Sequence, residues 1–88
     1  MTVYLVSYDL NTPGQKHQKL LEAIKKYPGW ARISESCYAI KTNSTVQAVY
    51  DALAAIIDRN DQLYIITVSK PWTGFGPKEV NEWLDSNL

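Results

Sequence analysis

The chain has 88 residues, no net formal charge and a single cysteine, Cys37. That length holds one small domain, residues 1–88, whose core gives marginal stability alone, so a second subunit is expected. The charge balance lacks the basic excess usual in nucleic-acid binders, one cysteine excludes an internal disulfide or a cysteine-built zinc site, and no apolar run approaches the ~18 residues of a membrane span. The N-terminus shows neither the basic region nor the small-residue cleavage site of a signal peptide, so the expected setting is the reducing cytoplasm, with no membrane partner.

Val3-Tyr4-Leu5-Val6-Ser7-Tyr8-Asp9 opens the chain as a strand buried on both faces, ending in an acid. Alternation places Asp9 with Val3, Leu5 and Ser7, opposite Tyr4, Val6 and Tyr8. In Asn11-Thr12-Pro13-Gly14-Gln15, Thr12 suits a helix cap, Pro13 the first helical position and Gln15 a capping box. His17, Leu20, Leu21, Ile24 and Tyr27 then form one stripe of an amphipathic helix that Pro28-Gly29 ends.

Trp30 to Glu35 and Cys37 to Thr42 read as two antiparallel strands joined near Glu35-Ser36, although no Asn-Gly or Gly-Gly turn marks the junction. Ser44 and Gln47 match a second capping box. Val46, Val49, Tyr50, Leu53, Ile56 and Ile57 follow at helical spacing. Leu63 to Val68 is a further strand. Lys70 to Gly76 is a loop, and Gly76-Pro77 starts a short helix with Val80, Trp83 and Leu84 on one face. The order β-α-β-β-α-β plus a helix predicts an α+β, ferredoxin-like βαββαβ sandwich with an extra C-terminal helix and with the first and third strands central. One sheet face then lacks the two crossover helices. The terminal helix or a second copy must cover it, and two-fold pairing is the commonest form of self-association.

Asp9 is the leading candidate for chemistry. A carboxylate at a strand end binds Mg²⁺ with water filling most positions, and two such acids across a dimer axis make a better site than one. The competing reading is a turn-forming aspartate. Ser7, Ser34 and Ser36 carry hydroxyls that suit a supporting role or bonds to nearby backbone; no Gly-X-Ser-X-Gly elbow surrounds them. His17 has no catalytic partner in its sequence neighbourhood and reads as a partly buried structural residue. Cys37 reads as a small buried hydrophobe. Gly14 lacks the companion glycines and lysine of a phosphate loop. Asp58, Asp61, Glu79 and Glu82 read as solvated helix charges. Trp72, Gly74 and Phe75 suit either a partner anchor or a local core against the sheet edge, with the local core preferred.

Tyr8-Asp9-Leu10 and Ser36-Cys37-Tyr38, separated by a helix, resemble the small ferredoxin-like CRISPR-associated nuclease of the spacer-acquisition complex and virulence-associated protein D, a toxin-like ribonuclease. The run from Tyr4 to Asn11 and the segment Trp72 to Phe75 are similar to the short bacterial proteins called SinR-like, across nearly the whole chain. The resemblance implies a homodimer with Asp9 as a Mg²⁺ ligand at the cleft between subunits. The implied activity is metal-dependent endoribonuclease cleavage of RNA, catalysed by Asp9 with support from Ser36. Lys16, Lys19, Lys25 and Lys26 stand on the first helix where that family has an arginine-rich face. The alternative is a non-enzymatic interaction module whose protein partner engages Trp72 and Phe75.

Overall fold

The computed structural model describes residues 1–12 and 14–88. The elements are β1 (Thr2–Asp9), α1 (Gly14–Ile24), β2 (Gly29–Ser34), β3 (Cys37–Thr42), α2 (Val46–Ala54), β4 (Gln62–Val68) and α3 (Lys78–Asn87). The strands form one antiparallel sheet in the order β2-β3-β1-β4. This is the expected ferredoxin-like α+β fold, with β1 and β3 central.

The pleat decides what each face of β1 touches. Tyr4, Val6 and Tyr8 join Leu20 and Ile24 of α1, Tyr38 and Ile40 of β3, and Val49 and Leu53 of α2 in one core. The Tyr4 hydroxyl donates to the Ser44 carbonyl at 2.8 Å, and the Tyr8 hydroxyl donates to the Glu35 carbonyl at 3.2 Å. Both buried phenols thereby satisfy their polar ends, which an apolar core requires. The Tyr8 oxygen also lies 3.2 Å from Nε2 of half-buried His17, as expected for a structural histidine. Burial, reinforced by nearby Tyr38, pushes the Tyr8 phenol up to about 12, so it keeps its proton.

Local chemistry departs from expectation at three places. Thr45 caps α2, accepting from the Ala48 N–H at 3.1 Å, whereas Ser44 was the expected cap. Two adjacent residues carry hydroxyls, and the chain uses the second because Ser44 presents its carbonyl to Tyr4. Gln47 bonds Asp51 at 2.9 Å, one turn on, so no capping box closes. Next, α2 ends at Ala54 instead of reaching Ile57, yet Ile56 and Ile57 still pack against the core from the turn beyond it. The Thr12–Pro13 cap rests on Pro13, which lies outside the described residues. The β2–β3 junction carries a register shift between Arg32 and Ser34, an irregularity of the bulge type just before the turn.

On the second face α3 lies against β2. Gly29 faces this helix: a Cβ there would meet Cβ of Lys41 on β3 at a tight 3.3 Å and the Trp83 ring of α3 at 3.5 Å, an ordinary contact distance. Lys41 donates to Asn87 at 2.9 Å, and Val3, Ala31 and Ala39 are buried on this face. The helix leaves the β4 side of this face open. Leu5 and Ser7 of β1 stay half-buried, and Tyr64 and Ile66 of β4 stay 61% and 50% exposed. No described helix is long and apolar enough to cross a membrane.

Candidate functional site at the end of the central strand

Asp9 ends β1 on the uncovered half-face, exposed, with Gln62 as its cross-strand partner on β4. A polar cleft of about 310 Å³ opens there, lined by Asp9, Leu10, Asn11, Asn60 and Gln62. Its donors are one carboxylate and three amide side chains, oxygen ligands of the hard type that suit Mg²⁺. Among the described residues no three histidine, cysteine, aspartate or glutamate side chains converge. Asp9 is the one carboxylate that lines this cleft.

Ser36 occupies the exposed β2–β3 turn at the same end of the sheet, where its carbonyl accepts the Tyr8 N–H at 3.1 Å. It does not line the cleft with Asp9. Cys37 opens β3, half-buried; burial raises its thiol, so it stays protonated at neutral pH.

The residue that holds this loop in place is Asp61, which sequence reasoning assigns to solvated helix-end charge. The structure corrects that reading. The Asp61 carboxylate accepts the Asn11 N–H at 2.7 Å, the Asp58 N–H at 2.8 Å and the Lys16 ammonium at 2.7 Å, and its side chain is fully enclosed. Lys16 also reaches Asp58 at 2.8 Å. The β1–α1 loop that follows Asp9 is thus tied to the α2–β4 turn. Lys16 and the two backbone donors pull the Asp61 carboxyl down to about 2. Nothing local signals this role, because Asn11 and Asp61 lie 50 residues apart.

A carboxyl lowered on folding contributes stability above its unfolded value of ~3.9 and loses it as pH falls through the folded value. Acid titration of unfolding should therefore show a loss of stability from about pH 4 down to about pH 2 that Asp61→Asn removes. Circular dichroism at stepped pH checks this, and identical profiles for the two proteins would contradict it. Glu79 and Glu82 are solvated as expected, the latter 3.7 Å from Lys78.

The Trp72–Phe75 segment divides. Trp72 is half-buried and shares a small recess with Ile33, Val80 and Leu84, while Phe75 is fully exposed at 106%. The expected local core holds for the tryptophan and not for the phenylalanine.

No protein-family model matches the sequence, and no curated protein matches it. The structure is similar to that of a hypothetical protein, TT1823, from Thermus thermophilus, with a TM-score of 0.66 and 22% identity over 86% of this chain and 94% of that one. At that identity the likeness is one of fold.

Proposed function

We propose that the chain acts as a cytoplasmic homodimer, a CRISPR-associated-nuclease-like endoribonuclease in which Asp9 of each protomer contributes to one Mg²⁺ site. One observation carries the reading: Asp9 is an exposed carboxylate at the end of a central strand, on the part of the sheet face that no helix covers. Pairing two copies through Leu5, Tyr64 and Ile66 buries apolar surface and brings the Asp9 clefts toward the two-fold axis. Asp9 would hold the ion, with the amides of Asn11, Asn60 and Gln62 and water completing an oxygen shell. A cation held there would offset the repulsion of two acids and would supply charge stabilisation at a phosphoryl oxygen. Asp61 keeps the loop after Asp9 in position, and the exposed Ser36 hydroxyl offers a donor to phosphate at the same end of the sheet.

Asp9→Asn keeps the size of the side chain and removes its charge. Metal-dependent cleavage of a single-stranded RNA should fall at least 100-fold, a loss on the order expected when charge stabilisation at the reacting group is removed. Full cleavage by this variant would eliminate the mechanism.

A second reading, a non-enzymatic module binding a protein partner, is favoured by Phe75, a fully exposed phenylalanine beside half-buried Trp72. A partner that copurifies with the wild-type chain and is lost with Phe75→Ala, from a dimer that leaves RNA intact, selects this reading over the first.

A further inference from the structure

A groove of about 590 Å³ lies between the end of α2 and the outer edge of β4. We infer that this groove binds a segment of single-stranded RNA, with a base stacked on Tyr50 and a phosphate on Arg59, and feeds that strand to Asp9. The inference rests on the ribonuclease reading and gives it a substrate path.

The argument starts from the lining. Ala54, Ile57 and Leu63 make an apolar floor, while Tyr50 on α2 leaves 42% of its surface open. An exposed tyrosine over an apolar floor offers a stacking platform, and stacking accepts any base because every base has a π-face. Arg59 supplies the charge. It engages no carboxylate among the described residues, and the acids beside it are already answered. Both acids line the groove: Asp58, 66% exposed, meets Lys16, and Asp61 accepts from Lys16 and two backbone N–H groups. An arginine fork left unpaired in such a wall suits phosphate geometry.

The groove also leads somewhere. Gln62 lines both it and the Asp9 cleft, and Gln62 is the cross-strand neighbour of Asp9, ~5 Å away between Cα atoms. A strand lying in the groove would pass from Tyr50 and Arg59 over Gln62 to the carboxylate. The open shape suits an extended single strand, and a volume within the ~300–1,000 Å³ range of ligand sites is ample for a base. Tyr64 also lines the groove but lies on the half-face proposed to pair, so Tyr50 and Arg59 are the informative positions.

The test is fluorescence anisotropy of a labelled 12-nucleotide single-stranded RNA, in EDTA to prevent cleavage, with the same sequence as a duplex for comparison. Wild type should bind the single strand in preference to the duplex. Tyr50→Ala should weaken binding about tenfold or more, and Tyr50→Phe should restore it, because the ring is kept. Arg59→Ala should lower the slope of log affinity against log salt by about 0.7, one phosphate's share on a single strand. Circular dichroism confirms that each variant is folded. Absence of wild-type binding, or Tyr50→Ala and Arg59→Ala binding like wild type, overturns the groove. If Tyr50→Ala loses binding while Asp9→Asn still cleaves RNA in Mg²⁺, the groove stands and the Asp9 reading falls. If Asp9→Asn abolishes cleavage while Tyr50→Ala binds normally, the reverse holds.

Discussion

Ile40→Ala is expected to lower the unfolding free energy by about 2–5 kcal/mol, among the largest effects of any single truncation in this chain. Ile40 is fully buried at the middle of β3, paired with Tyr4 on one side and Trp30 on the other. It sits in the same core as Leu20 and Ile24 of α1 and Leu53 of α2. Removing its side chain loses both the transfer energy of the missing carbons and the contacts around the void, because a sheet pinned between neighbours collapses poorly into a hole. A domain this small has ~5–15 kcal/mol in all, and each kcal/mol shifts its melting temperature by ~4–8 °C. The melting temperature should therefore fall by at least about 8 °C. Val46→Ala is the contrast: Val46 is 42% exposed in the first turn of α2, and its loss should change stability by no more than ~0.5 kcal/mol. Urea unfolding of the three proteins at one protomer concentration measures both differences. Equal stabilities for Ile40→Ala and wild type would show that this core is not where the fold is held.

What the sequence discloses follows from the range of the interaction that decides each feature. Alternation along β1 assigns Tyr4, Val6 and Tyr8 to one face and Asp9 to the other, and the structure agrees, because a period of two is a property of the strand itself. The stripe of Leu20 and Ile24 is read equally well, being a property of one helix. The choice of Thr45 over Ser44 is not, since adjacent hydroxyls offer nearly equal caps and a tertiary bond from Tyr4 settles the matter. The end of α2 is misplaced for a related reason: Ile56 and Ile57 keep facing the core after the helix has stopped, so the apolar pattern outlasts the hydrogen bonds. The clamp at Asp61 escapes, because two of its three donors, Asn11 and Lys16, are brought to it only by the fold. The position of Asp9 is thus legible from the sequence, whereas the clamp on its loop and the groove beside it are not.

Ile66→Asp is expected to give a folded monomer that has lost metal-dependent RNA cleavage although Asp9 is intact. Ile66 lies on β4 opposite Leu5, half exposed on the part of the sheet that α3 leaves open. In one protomer a carboxylate there remains in water, so the fold tolerates it. At a two-fold interface the same position meets its own symmetry mate or a near neighbour. Two acids buried together in an apolar contact are each desolvated and repel one another, which raises the cost well beyond the lost isoleucine packing. The dimer dissociation constant should rise at least 100-fold, read by sedimentation at micromolar concentration. Cleavage should fall with it, because the site proposed at Asp9 needs an acid from each copy. The coupling is what makes the result informative. A monomeric Ile66→Asp protein that cleaves RNA normally would place the whole metal site within one chain, where the described residues bring no three carboxylate, histidine or cysteine ligands together. A variant that stays dimeric would move the interface elsewhere, to a surface that leaves Leu5, Tyr64 and Ile66 in water. Loss of the dimer together with activity, in a protein whose circular dichroism matches wild type, ties the uncovered half-face to the chemistry at the end of β1.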